Sequence, residues 1–117
     1  MVDDADQARR DDAWRTVMRR EPPPVTDPYT QFTAELFDRL WGRPGLGRRE
    51  RRLVSLTAVA LSGQRDPLVF HLAASLDSGD LTAEELHEWV VHVAHYGGWP
   101  IGALAYGALR EVEAGRA

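Results

Sequence analysis

The sequence predicts an all-α protein of about six helices. Apolar residues recur every three or four positions through most of the chain, and helix-start signals stand at Asp27-Pro28, Asp66-Pro67 and Thr82 with Glu85. No stretch alternates as a β-strand would, and no internal repeat is evident.

Residues 3–20 are polar, with Ala5, Ala8, Ala13, Trp14, Val17 and Met18 set among charges. This composition predicts a marginal helix that orders only by packing on the body or on a neighbouring subunit. Glu21-Pro22-Pro23-Pro24 ends it, because proline lacks the N–H that a helix interior needs. Residues 1–24 therefore read as a charged arm with a proline-rich link, and 25–117 as the helical domain.

Asp27 reads as an N-cap with Pro28 at the first helical position, opening a helix that carries Phe32, Leu36, Phe37, Leu40 and Trp41. Gly42, Pro44, Gly45 and Gly47 form a loop. From Arg48 to Leu61 the chain is helical again, and its second half is apolar nearly all round, which predicts burial. Asp66-Pro67 repeats the cap-plus-proline start, with Leu68, Leu72 and Leu76 on one face. Thr82 and Glu85 form a capping box for a helix whose Leu86, Trp89, Val90, Val93 and Ala94 share an apolar face. Gly97-Gly98 stops it, and Pro100 suits the first turn of a last helix bearing Ile101, Leu104, Ala105, Ala108, Leu109 and Val112.

At 117 residues the chain is near the common size of one domain. A net charge of −4 speaks against a nucleic-acid binder. All 14 basic residues are arginine, so Schiff-base chemistry on lysine is excluded; the absence of cysteine excludes disulfides, thiolate nucleophiles and cysteine-ligated metals. The acidic start Met1-Val2-Asp3-Asp4 does not resemble a signal peptide, and no apolar stretch approaches membrane-spanning length. A cytoplasmic protein without membrane or nucleic-acid partners is expected.

Three of the four histidines lie in the segment from Ala83 to Tyr96. Glu88, His92 and His95 stand at i, i+4 and i+7 and project together from its polar side. Glu88 could orient and charge a histidine; the alternatives are a solvated face, a subunit contact, or three ligands for a metal. The helical zinc pattern H-E-x-x-H is not matched, and no metal site is expected. His87 lies at the edge of that polar face and reads as surface. Arg48, Arg49, Arg51 and Arg52 open their helix with cations where its dipole disfavours them, a conflict that an anionic substrate or an intersubunit carboxylate would relieve. Arg52 shares a face with Leu56 and Val59 and should point inward; Arg52 and Arg48 are candidate substrate clamps, with structural ion pairs as the alternative. Trp41, Tyr96 and Trp99 read first as packing residues, with Tyr96 and Trp99 also candidates for lining a site.

Several motifs in order carry a family resemblance: Leu40-Trp41-Gly42-Arg43-Pro44-Gly45-Leu46, Arg51-Arg52-Leu53-Val54-Ser55-Leu56, Pro67-Leu68-Val69-Phe70-His71-Leu72, Gly79, Leu81-Thr82-Ala83-Glu84-Glu85, Glu88, and Ala94-His95-Tyr96-Gly97-Gly98-Trp99-Pro100. Together, over about residues 29–112, they resemble the carboxymuconolactone decarboxylase family within the alkylhydroperoxidase-D-like superfamily. The resemblance implies a helical protomer assembled as a homo-oligomer, a trimer or hexamer, with sites near subunit boundaries. It also implies cofactor-free conversion of 4-carboxymuconolactone to the β-ketoadipate enol-lactone, so no cofactor is expected. The peroxidase branch carries two cysteines before a histidine that corresponds to His71; those positions are Gln64 and Pro67 here, which rules out a disulfide-cycling peroxidase. Tyr106 departs from the decarboxylase pattern, so the founding substrate does not follow automatically.

Decarboxylation without a cofactor needs a sink for an electron pair, here the lactone carbonyl, together with carboxylate clamps, an oxyanion donor and a proton for carbon. The resemblance makes His71 the first candidate for proton donor or carbonyl polariser, the alternative being a core histidine bonded to backbone. The expected catalytic set is His71, Glu88 and His92, with Arg52, Arg48, His95, Tyr96 and Trp99 as substrate contacts for a small anionic organic acid or lactone. A related cofactor-independent cyclase, hydratase or isomerase, and a non-catalytic helical oligomeric ligand-binding module, are the alternatives.

Overall fold

Six helices and no strand make up the described residues, 3–116, of the computed structural model; Met1 and Val2 of the expected arm, and Ala117, lie outside them. The helices are α1 (Asp4–Met18), α2 (Pro28–Arg39), α3 (Arg48–Leu61), α4 (Arg65–Asp77), α5 (Ala83–Gly97) and α6 (Trp99–Arg116). They fall into two compact units, one ending at Arg48 and the other beginning at Arg49.

In the first unit α1 packs on α2. Asp3 caps α1 by accepting from the Asp6 N–H, and Arg19 ends it in the left-handed region, just ahead of the proline run. Few apolar residues serve the contact, so Val17 and Met18 are buried with Phe37, against which Trp14 and Trp41 pack. The Trp14 ring meets Phe37 edge-on at 4.8 Å. Arg10 and Glu35 pair at 3.1 Å with both side chains largely shielded, and Arg9 pairs with Asp38 at 2.9 Å. The N-terminal segment thus finds its partner in α2. Asp27 caps α2 as expected, and Thr30 completes a capping box. The apolar stripe of α2 divides: Phe37 turns to α1, whereas Phe32, Leu36 and Leu40 stay exposed.

In the second unit α6 packs along both α5 and α4. The core joins Leu56 and Ala60 of α3, Leu68 and Leu72 of α4, Leu86, Trp89, Val90 and Val93 of α5, and Ala105, Ala108, Leu109 and Val112 of α6. The apolar face read for α5 is the face that is buried, and its Thr82–Glu85 capping box is formed. Gly98 ends α5 at φ 98°, a conformation costly for a side chain with Cβ. Two expectations differ. Helix α3 is buried on one face only, because Val54 and Leu61 project outward. Helix α4 starts a residue before Asp66: Gln64 occupies the cap without a side-chain bond, and Asp66 sits in the first turn, where its charge favours the helix dipole. Proline is tolerated at position 67 because first-turn N–H groups have no helical partner.

Candidate active site

His71 lies midway along α4, half-buried beside the fully buried Leu72. Its carbonyl accepts the Ser75 hydroxyl at 2.7 Å. Its Nδ1 is sealed from solvent without a hydrogen-bond partner, so the backbone-bonded core histidine weighed from sequence is not what the ring forms through that atom. Burial first, and the positive charge of Arg52 second, hold the imidazole down at about 4.

Arg52 points inward, as its helical phase demands, with Leu56 and Ala60 following on the same face. Its exposure is 0%, and Nη2 and Nε donate to Asp80 Oδ2 at 3.0 and 3.3 Å. Of the substrate clamp and the structural ion pair weighed for Arg52, the chain forms an internal ion pair, because a guanidinium withdrawn from water requires a carboxylate beside it. Arg49 donates to the Asp80 carbonyl at 3.2 Å and pairs with Glu85, which pushes the Glu85 carboxyl down to about 2. The conflict of cations at the start of α3 is thus relieved by carboxylates of the same chain, Asp80 and Glu85. Sequence reasoning missed Asp80; only its place between Gly79 and the capping box hinted at it, as a turn residue.

Arg48 is exposed and borders a shallow depression of about 240 Å³ within the first unit, with Thr16, Phe37, Asp38 and Trp41. His92 and Tyr96 line an apolar groove of about 320 Å³ with Thr57, Leu61, Trp89 and Gly97. Their rings stack at 5.1 Å and 11°. Trp89 Nε1 donates to Thr57 Oγ1 at 3.0 Å, so the floor of this groove has its polar edge satisfied. Neither His71 nor Glu88 lines it. Glu88 is exposed. His95 Nδ1 donates to the Val91 carbonyl at 2.7 Å, and its ring meets Trp99 edge-on at 5.9 Å. Trp99 and Tyr106 border a second apolar groove of about 290 Å³ with Val90, Val91, Ala94 and Ala103. Tyr96 and Trp99 are 88% and 68% exposed, so the packing role weighed for them is not met within the chain. His87 is not simply surface: half-buried, its Nε2 stands 2.8 Å from Glu113.

The structure thus pairs Arg52 with Asp80 and sets His92 with Tyr96 at a groove. Among the described residues no three His, Cys, Asp or Glu side chains are grouped to hold a metal ion. No described helix is long and apolar enough to cross a membrane.

The chain is helical and free of cysteine, and sequence comparison gives it its family. The model of the carboxymuconolactone decarboxylase family matches residues 27–111, most of the chain, and the chain belongs to that family. A 4-carboxymuconolactone decarboxylase of Acinetobacter baylyi is 37% identical over 73 residues, which make up 62% of this chain and 54% of the relative. The chain therefore spans about half the length of that relative. No solved structure matches it significantly.

Proposed function

We propose that the protein is a carbon–carbon lyase that removes carbon dioxide from a small anionic lactone or organic acid by acid–base and electrostatic means. One observation carries this reading: His71, at the position the family resemblance marks, is half-buried with Nδ1 unpartnered. Family membership and the relative named as a decarboxylase support it.

An imidazole held near 4 is neutral at working pH. Of the two roles considered for His71, carbonyl polariser therefore suits it better than imidazolium acid. The bond between ring carbon and carboxylate breaks, carbon dioxide leaves, and the electron pair delocalises onto the lactone carbonyl oxygen, which accepts the imidazole N–H. A proton from water then adds to carbon and completes the enol-lactone. Preorganised donation to a developing oxyanion is worth about 10²–10³ in rate.

Assembly as a trimer or hexamer belongs to the same reading, because Val91, Trp99 and Tyr106 are large, apolar and exposed around one groove. The test is incubation of the protein with 4-carboxymuconolactone and a panel of anionic lactones, with carbon dioxide release as the readout. Wild type should turn over at least one of them, and His71→Gln should lose about 10²-fold or more while keeping its oligomer. Full activity in that variant sinks the role of His71. Binding without carbon dioxide release across the panel favours the ligand-binding module.

A further inference from the structure

Residues of α3 and α5 line the apolar groove of about 320 Å³ that holds Thr57, Leu61, Trp89, His92, Tyr96 and Gly97. Trp89 is its buried floor, and the indole N–H is spent on the Thr57 hydroxyl, which in turn donates to the Leu53 carbonyl at 2.8 Å. The Leu61 side chain closes in on the backbone of Gly97, where an added Cβ would stand 2.8 Å from Leu61 Cδ2. Floor and wall therefore offer hydrocarbon and an aromatic ring, with the polar atoms of Thr57 and Trp89 already paired.

The lip differs. His92 and Tyr96 are exposed and stacked at 5.1 Å and 11°. Neither the ring nitrogens of His92 nor the Tyr96 hydroxyl has a hydrogen-bond partner among the described residues. An imidazole in its neutral form and a phenol each hold a donor and an acceptor. Among the described residues no arginine and no carboxylate lines the groove, and the exposed Glu88 stands one turn before His92 on α5. A carboxylate entering here would leave water for apolar surface, find no cation, and lie near another carboxylate, all of which disfavour it.

We propose that this groove is a binding site for an uncharged planar aromatic ring carrying one hydroxyl or carbonyl oxygen, a phenol being the simplest case. The ring lies over Trp89 and extends the His92–Tyr96 stack, an arrangement aromatic rings favour. Its oxygen meets the polar tips of the pair at the lip. Size agrees: about 320 Å³ is at the lower end for small-molecule sites, whereas a stable subunit contact takes about 800 Å² from each partner. The site is independent of the chemistry proposed for His71, which does not line it, and it takes an uncharged ligand where that chemistry takes an anion.

The test titrates the full chain with phenol, benzoate and cyclohexanol and follows the ring signals by NMR. Phenol should shift the Trp89 indole, His92 and Tyr96 together and saturably, at about millimolar concentration as its size allows, while Trp99, at the other groove, stays unmoved. Cyclohexanol has the same hydroxyl on a puckered ring that cannot stack, and should bind about three- to tenfold more weakly. Benzoate should bind about tenfold more weakly or worse, for want of a cation. Tyr96→Ala and Leu61→Ala should each weaken phenol about three- to tenfold. Both side chains are exposed, so thermal melts should stay close to wild type; if Leu61→Ala does not fold, Tyr96→Ala decides alone. Benzoate binding as tightly as phenol marks an anion site and overturns the proposal. Equal binding of cyclohexanol marks an unselective crevice and overturns it too. So do unchanged affinity in the folded variants, shifts at Trp99 alone, or silence at all three residues, the last being the result if a second copy covers the groove. No turnover is read, so the outcome is separate from that of the decarboxylase reading.

Discussion

A histidine held neutral inside a protein leaves a mark on acid stability. The folded value for His71 is about 4 and the ordinary value is 6.5, so between these the unfolded chain binds a proton that the folded chain refuses. Stability from this group is complete above 6.5 and is lost progressively as pH falls through 4. His71→Gln, which cannot titrate, should flatten that part of the pH–stability curve in chemical denaturation. An unchanged slope would show that His71 is not the group responsible. At this scale the sequence was readable in part. The phase of Arg52 with Leu56 placed it inward, but its carboxylate partner lies 28 positions away, beyond any local pattern. Of the two readings weighed for Arg52, substrate clamp and structural ion pair, the chain forms the ion pair. The stacking of His92 on Tyr96 follows from their i, i+4 spacing, although the sequence reading grouped His92 with Glu88 and His95 instead.

Helix α5 shows how far a single element can be read from its residues. Its cap, buried face and glycine stop all agree with local rules. The Thr82 hydroxyl accepts the Glu85 N–H at 3.1 Å while Glu85 accepts the Thr82 N–H at 2.9 Å. Thr82→Ala should therefore cost about 1 kcal/mol in denaturant titration; no loss would mean the box is redundant with the Arg49–Glu85 pair. The meeting of α5 with α6 turns on Gly102, where an added Cβ would stand 2.4 Å from Ala94 Cβ. Gly102→Ala ordinarily helps a helix, yet here it should destabilise by about 1–3 kcal/mol through overpacking, measured by the same titration. A stabilised variant would show that the two helices can separate freely. The small residues Gly102, Ala103, Ala105, Gly107 and Ala108 of α6 permit such close approach. The start of α4 was misplaced because Asp-Pro signals a helix start in more than one register.

For the whole molecule, the exposed aromatic and aliphatic face of α5 and α6 is the feature the isolated chain leaves unsatisfied. A homo-oligomer is expected, and Val91→Glu, which alters none of the residues assigned to chemistry, should lower the assembly mass in light scattering with helix content unchanged. An assembly mass identical to wild type would place the subunit contact elsewhere. By itself the sequence determined the helical class, most helix boundaries and the family, because caps, glycine stops and apolar spacing act within a few residues. Only the tertiary structure decided that α1 docks on α2, that one face of α3 stays exposed, and that Arg52 serves Asp80 rather than solvent. Burial and charge pairing depend on which distant segments the fold brings together, and a carboxylate, guanidinium or imidazole takes its character from that company.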